Sequence, residues 1–371
     1  MMDQNNKAIC PAPWVSLYVE PNGRVDNCCV GKNYLGNVQE NSVKEIVFGN
    51  TNQSVQQSML NGIYPAGCSW CEKGSSSLQQ RMFNIFPDRR EENYQLGTFK
   101  LQYLDTRWNN TCNLACVYCS PEYSSTWAQE LNKPVRIEKQ DKKLLLEYVI
   151  DNVETLKEVY LAGGEPLLMK ENSLLISALK EKNPSCHVLV NTNLTQIKNN
   201  SIFENLVSLK NSSWLISVDD SQERFEYMRY PAKWNEFADN VQLLKSQTSI
   251  DQMAFNMVFT SVNALTIWDT VDWLLHQGFR ADTCTIQLYN NGLSNWPFDV
   301  RSMPAEYQRQ VMIRMNQEKY KKTANWESVY EYLAKLVENN PPLTLKKYLS
   351  EFDSRRGLDS KLTFPLVYEY L

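Results

Sequence analysis

Apolar and polar positions change rhythm along this chain. Val15-Ser-Leu-Tyr-Val19 alternates with period two, Pro21-Asn-Gly23 supplies turn chemistry, and Arg24-Val-Asp26 offers a return strand. That pattern predicts a hairpin. Residues 42–48 and 52–60 read as short helices. Residues 75–97 are polar, with a proline and clustered charges, and read as a linker. From Thr98 onward, strand-like and helix-like patterns alternate. Strands are expected at 99–104, 158–162, 187–191, 214–218, 253–260 and 284–288. Helices are expected at 142–152, 173–182, 234–246 and 268–277. Such a series of about six β/α units predicts an α/β fold with a parallel sheet, closed into a partial (β/α)6 TIM-like barrel. Chemistry in such barrels sits on the loops that follow the strands. After Pro304 the pattern is helical, over 305–321, 326–337 and 345–352. No internal repeat is visible.

Composition narrows the class. Apolar residues make up 43% of the 371 and charged residues 22%, which are globular values. The net charge of -4 argues against a broad nucleic-acid-binding surface. No apolar run is long enough for a membrane span, and Met1 to Ala8 lacks the apolar core of a secretory signal, so a cytoplasmic location is expected. Only two histidines, His187 and His276, are present, which excludes a His-rich metal centre. Both are read as structural. Ten cysteines are many for a chain expected in a reducing compartment, where clustered thiols serve metals more often than disulfides. Eight of them precede residue 120; Cys186 and Cys284 stand alone and read as small core residues.

Thr111-Cys-Asn-Leu-Ala-Cys-Val-Tyr-Cys119 sets three thiols at Cys-x3-Cys-x2-Cys, just after the first strand of the β/α series. Three thiolates hold three irons of a cubane and leave the fourth iron open for an exchangeable ligand. Zinc prefers a fourth protein ligand, and no Cys or His follows nearby. The segment resembles the signature of the radical S-adenosylmethionine (SAM) superfamily. The resemblance implies that Cys112, Cys116 and Cys119 hold a [4Fe-4S] cluster whose open iron chelates SAM. It further implies reductive cleavage of SAM to a 5'-deoxyadenosyl radical that abstracts hydrogen from a substrate. Tyr118 matches the aromatic residue that packs near the adenine.

Other strand ends resemble motifs of the same superfamily. Leu161-Ala-Gly-Gly-Glu-Pro166 is similar to its Gly-Gly-Glu motif, implying that Gly163, Gly164 and Glu165 meet the methionine amine of SAM. Asn191-Thr-Asn193 resembles its Thr-Asn-Gly segment, with Leu194 in place of the glycine. Ser217-Val-Asp219, followed by Arg229, resembles the Ser-x-Asp...Arg pattern of radical SAM enzymes with SPASM domains, with Asp220 in place of a glycine. By that likeness Asn191, Asn193, Ser217 and Arg229 are expected to contact SAM. Taken as bare residues, Asn191 to Asn193 can also be read as a capped strand end and Arg229 as a surface charge, while Asn256 is either a further polar group at the barrel mouth or a satisfied sheet residue.

Cys10, Cys28, Cys68 and Cys71 form a second group: a hairpin with a thiol at each end and a distant Cys-x2-Cys pair. The spacing suits zinc or a [4Fe-4S] cluster alike. Cys10-Pro-Ala-Pro-Trp14, Pro21-Asn-Gly23, Cys28-Cys29, Leu35-Gly-Asn-Val38 and Cys68-x2-Cys71 together resemble a SPASM or twitch module placed before the barrel. The likeness implies one auxiliary [4Fe-4S] cluster, with Cys28 favoured over Cys29 as ligand. The organisation expected is a cluster module over 1–75, a linker over 76–97, a barrel over 98–300 and a helical extension over 301–371.

Together these readings imply a radical SAM enzyme with two [4Fe-4S] clusters, served by a reductant such as flavodoxin or ferredoxin. A peptide or protein substrate is ranked ahead of a carbohydrate or small metabolite. The reading from a different class is a zinc-stabilised, non-catalytic binding protein.

Overall fold

The structure is a computed structural model that describes residues 6–74, 78–90, 94–133, 139–288, 297–335 and 343–371. Residues 75–77 and 91–93 of the expected linker, and the last residues of the helix expected over 326–337, lie outside the described residues. The chain forms two compact units. The first comprises Met1–Cys112, Pro121–Asn191 and Lys198–Ser213; the second comprises Asn113–Ser120, Thr192–Ile197 and Trp214–Leu371.

The first unit holds strands β1 (Ser16–Val19), β2 (Arg24–Asp26), β3 (Gly36–Asn37), β4 (Tyr103–Thr106), β5 (Glu158–Leu161) and β6 (His187–Thr192), in the spatial order β3-β2-β1-β4-β5-β6. The expected hairpin is there: β1 and β2 are antiparallel, and Gly23 turns between them at a φ of 82° that costs glycine least. The hairpin is not isolated. β1 pairs in parallel with β4, matching Ser16 to Tyr103 and Tyr18 to Asp105, and β4 pairs in parallel with β5. Leu17, Leu104, Val159, Val188 and Val190 fill one face of this sheet and are completely buried. Helices Lys139–Asp151 and Lys170–Lys182 separate the parallel strands.

The second unit holds most of β7 (Ser212–Ser217), with β8 (Met253–Phe259) and β9 (Cys284–Leu288), paired in parallel in that order. In β7 and β8 burial alternates strictly, with Trp214, Ile216, Phe255 and Met257 inaccessible and their neighbours half-exposed. Trp234–Gln247 and Ile267–His276 are the intervening helices. The edge of β9 is closed by Ala324, whose N–H donates to Cys284 and whose carbonyl accepts from Ile286. Such cover protects an otherwise open strand edge. Helices Ala305–Met315, Trp326–Ala334 and Leu343–Arg356 follow. The α/β class with parallel strands and a helical tail is as expected. Among the described residues no helix is long and apolar enough to cross a membrane.

Several elements differ from the pattern reading: the helix expected over 305–321 ends at Met315, helices Ser125–Glu130, Ser201–Val207 and Gln222–Met228 are additional to those expected, and three further differences lie in the first unit. Residues 12–15 form a helical turn, so the first strand starts at Ser16. The strand expected at 99–104 lies at Tyr103–Thr106, because the ladders to β1 and β5 fix its register there. The stretch read as a linker contains a helix, Leu78–Ile85, that leads to the buried Met82 and Phe86.

Candidate cofactor-binding site

In the first unit, β5 runs into Ala162, Gly163, Gly164 and Glu165. Gly163 has φ 109°, a region closed to most side chains. A Cβ on Gly164 would lie 2.2 Å from the carbonyl oxygen of Thr111. The Glu165 N–H donates to that same oxygen at 2.7 Å. The loop is thus pinned to the residue before Cys112. Glu165 is fully buried, and its Oε1 accepts from the Leu167 N–H at 3.1 Å. The Cys112 backbone is held by a neighbouring helix start: its carbonyl accepts from Thr126 Oγ1 at 2.7 Å and its N–H donates to Ser125 Oγ at 3.1 Å. Asn191, near the end of β6, donates to the Tyr160 hydroxyl at 3.0 Å.

In the second unit the rest of the cysteine loop is stitched down on two sides. Ala115 and Val117 donate to the carbonyls of Tyr230 and Met228 at 2.6 and 2.9 Å. Asn113 donates to Thr195 Oγ1 at 2.8 Å and accepts from Asn193 Nδ2 at 3.1 Å. Leu194, where the motif would have glycine, is left-handed with φ 58° and wholly buried. Tyr118 donates to Asp219 Oδ2 at 2.6 Å, and Arg229 Nη1 donates at 2.7 Å both to the Tyr118 hydroxyl and to Asp219 Oδ2. Asp219 Oδ1 accepts from the Val258 N–H, and the Asp219 carbonyl from Asn263 Nδ2. Arg229 is 5% exposed, so it is not a surface charge. Burial pushes the Cys116 thiol pKa up, and the Arg229 guanidinium opposes that shift. Ser217 ends β7 at a half-exposed position opposite Asn256.

The N-terminal thiols line one cavity of the first unit. Its wall includes Cys10, Cys28, Cys68 and Cys71 with Ala8, Met59 and Met82. Among the described residues, no three His, Cys, Asp or Glu side chains converge on a single metal-ion position. The four thiols border a space instead of meeting at a point. Burial pushes the Cys10 thiol up to about 12, with the neighbouring Cys68 and Cys71 adding to it. It also raises Cys28 and Cys68. Two donors face these sulfurs: the Gly31 N–H at 3.2 Å from Cys28 Sγ and Asn33 Nδ2 at 3.6 Å from Cys68 Sγ. N–H donors stabilise a thiolate, and buried thiolates next to one another need a bound cation to persist. The donor set therefore fits an iron-sulfur cluster. Gly67, next to Cys68, packs against Asn33: a Cβ there would lie 2.6 Å from the Asn33 backbone nitrogen. Cys29 does not line this cavity. Crowding of the sulfur by surrounding protein, followed by Asp105, raises its thiol to about 11 while the residue keeps an exposed face, and Arg107 and Arg81 oppose the rise.

The first unit thus brings Cys112 together with Gly163, Gly164 and Glu165, and the second brings Cys116 and Cys119 together with Tyr118, Asn193 and Arg229. Sequence reasoning passed over Asp219 as the acceptor of both Tyr118 and Arg229, although it lies inside the quoted Ser-Val-Asp motif.

Comparison with known proteins gives the following. The family model described as Radical SAM superfamily matches residues 107–274, and the one described as an iron-sulfur cluster-binding domain matches residues 10–73. A GTP 3',8-cyclase of Nautilia profundicola is 31% identical over 94 residues, 25% of this chain and 28% of the cyclase. The anSMEcpe structure with bound AdoMet has a TM-score of 0.43 at 17% identity, covering 57% of this chain and 56% of that one. Streptococcus suis SuiB bound to S-adenosylmethionine has a TM-score of 0.41 at 16% identity, covering 80% and 61%. The chain therefore spans little more than a quarter of the cyclase and just over half of anSMEcpe.

Proposed function

Residues 107–274 match the radical SAM superfamily and residues 10–73 an iron-sulfur cluster-binding domain, and from that premise we propose that the chain is a radical SAM enzyme with two [4Fe-4S] clusters acting on a peptide or protein. The observation that carries the reading is the pinning of Glu165 to Thr111, one residue from Cys112. Cys112, Cys116 and Cys119 would hold the first cluster and Cys10, Cys28, Cys68 and Cys71 the second. When bound and reduced, a cluster with an open iron supplies homolysis of SAM and a carbon radical able to take hydrogen from a substrate. The protein's part is placement. Glu165 offers a buried carboxylate to an ammonium group, with Gly163 and Gly164 keeping that loop tight. Asn191, Asn193 and Ser217 offer neutral polar groups at strand ends. Arg229 is committed to Asp219 and the Tyr118 hydroxyl; it would act by fixing the Tyr118 ring, the aromatic that the resemblance implies would pack near the adenine. The half-buried N-terminal thiols, bordering a cavity walled by Ala8, Met59 and Met82, would limit water around the second cluster.

A low-potential donor such as flavodoxin or ferredoxin would supply the electron, in the reducing interior of the cell. The thiols bordering a cavity support a polynuclear cluster over single zinc. The test is anaerobic reconstitution with iron and sulfide, followed by strong reduction with SAM present. Formation of 5'-deoxyadenosine that depends on reductant is the expected result. Iron-loaded protein that never cleaves SAM would overturn the proposal.

A further inference from the structure

One face of the first unit's sheet is polar where sheet interiors are usually filled with Val, Ile and Leu. Registered pairs place Ser16, Tyr103, Glu158 and His187 in one row, and Tyr18, Asp105 and Tyr160 in the next. Directly paired residues share a face. Arg107, two residues beyond Asp105, lies 4.6 Å over the Tyr18 ring and donates to Asp105 Oδ1 at 2.6 Å. Arg81 stands over the Tyr160 ring at 5.5 Å and donates to Glu158 at 2.7 Å. Each guanidinium is therefore already neutralised by a carboxylate, so the face offers no free charge to an anion.

Hydrogen-bonding capacity remains. Among the described residues, Arg107 Nη1 alone donates to Asp105, and Oδ2 accepts nothing. The Tyr160 hydroxyl accepts from Asn191 and gives its own proton to no described residue. Burial outweighs the neighbouring guanidiniums and sets the Asp105 carboxyl at about 6.

We infer that Asp105, Arg107 and Tyr160 form a substrate-recognition wall for a neutral amide, whose N–H is accepted by Asp105 Oδ2 and whose carbonyl accepts from the Tyr160 hydroxyl. Arg107 is the positioning residue that sets the carboxylate plane. This rests on the peptide reading above and names the group that reading leaves open. With both guanidiniums paired and the Glu20 carboxylate beside Tyr18 and Arg107, the wall carries no free cation and selects an amide over a carboxylate or phosphate.

The test offers reconstituted protein, SAM and reductant a peptide digest of fully deuterated cells, and in parallel the monosaccharides of the same cells. Deuterium is expected to enter 5'-deoxyadenosine from the peptides. The labelled fraction is expected to fall about tenfold in Asp105→Asn and in Tyr160→Phe, the loss of one charge-assisted or buried hydrogen bond. A second readout needs no turnover. Cys29 is exposed and lies within the field of Asp105 and Arg107; the peptides should slow its alkylation by iodoacetamide in the wild type and not in the variants. Label from the sugars alone, or from neither source while unlabelled 5'-deoxyadenosine accumulates, overturns the amide assignment. An unchanged labelled fraction and unchanged shielding in both variants overturn the wall. If no 5'-deoxyadenosine forms under any condition, the radical reading fails instead, and the shielding of Cys29 alone decides the wall.

Discussion

Gly164 lies so close to Thr111 that a single added carbon would stand 2.2 Å from the Thr111 carbonyl oxygen. Backbone cannot yield as a flexible side chain does, so Gly164→Ala must push the loop away from the residue preceding Cys112. We expect a stability loss of about 1–3 kcal/mol, as for other overpacked sites, together with weaker SAM binding. Denaturant unfolding and equilibrium binding of SAM to anaerobic protein check both. Unchanged SAM affinity would show that the loop position is irrelevant to the ligand.

Asp219 is the common acceptor for Tyr118 and Arg229. Removing it leaves a buried guanidinium without its carboxylate. Asp219→Ala is expected to cost about 3–5 kcal/mol, whereas Tyr118→Phe, which loses hydrogen bonds and keeps the ring, should cost about 1 kcal/mol. Urea unfolding of the two variants measures the difference. Equal losses would mean that Asp219 serves the ring alone.

The two thiol sets should separate by iron content. Wild type should hold about eight irons and each of Cys10→Ala, Cys28→Ala, Cys68→Ala and Cys71→Ala about four. Cys29→Ala should keep about eight. Of these, the variants of the N-terminal set should retain part of their SAM cleavage, while Cys112→Ala, Cys116→Ala and Cys119→Ala should retain none. Iron and sulfide analysis with a 5'-deoxyadenosine assay decides it. Loss of iron in Cys29→Ala would exchange the roles of the two neighbouring cysteines.

Asp220 gives a pH signature. Burial raises its carboxyl to about 6, even though Arg224 donates to it at 2.9 Å. A folded value above the unfolded one means that the native state binds the proton more tightly. The resulting stabilisation is full below about pH 4, falls as pH rises, and is gone above about pH 6. The displacement corresponds to roughly 2–3 kcal/mol. Unfolding midpoints across this window should decline more steeply in wild type than in Asp220→Asn. Parallel profiles would place the Asp220 carboxyl at its ordinary value.

Legibility followed distance along the chain. The spacing of Cys112, Cys116 and Cys119 is local, so it can be read directly, and β9 coincides with its expected bounds because a short apolar run between turns leaves little choice. Where the register comes from partners far away, the pattern slips. β4 is displaced towards its C-terminal end because its neighbours are β1 and β5. The bond from Tyr118 to Asp219 spans 101 residues, and no spacing rule encodes it. Asp105 and Arg107 did leave a trace: opposite charges two positions apart, one near the end of β4 and one just beyond it, a spacing that puts both on one face if the extended backbone continues. That trace is meaningful only once the rows across β1, β4 and β5 are known.

The parallel ladder between β1 and β4 bears on how such a chain is inherited. A cluster domain tied on by a tether could be lost, duplicated or swapped like a bead on a string. Here its first strand fills the hydrogen-bonding edge of the strand that leads to the cysteine loop. Excising residues 1–75 would bare that edge and invite another chain to pair with it. The N-terminal domain and the strands beside it are therefore expected to move through evolution as one cassette, and a shortened chain to precipitate instead of surviving as a simpler enzyme.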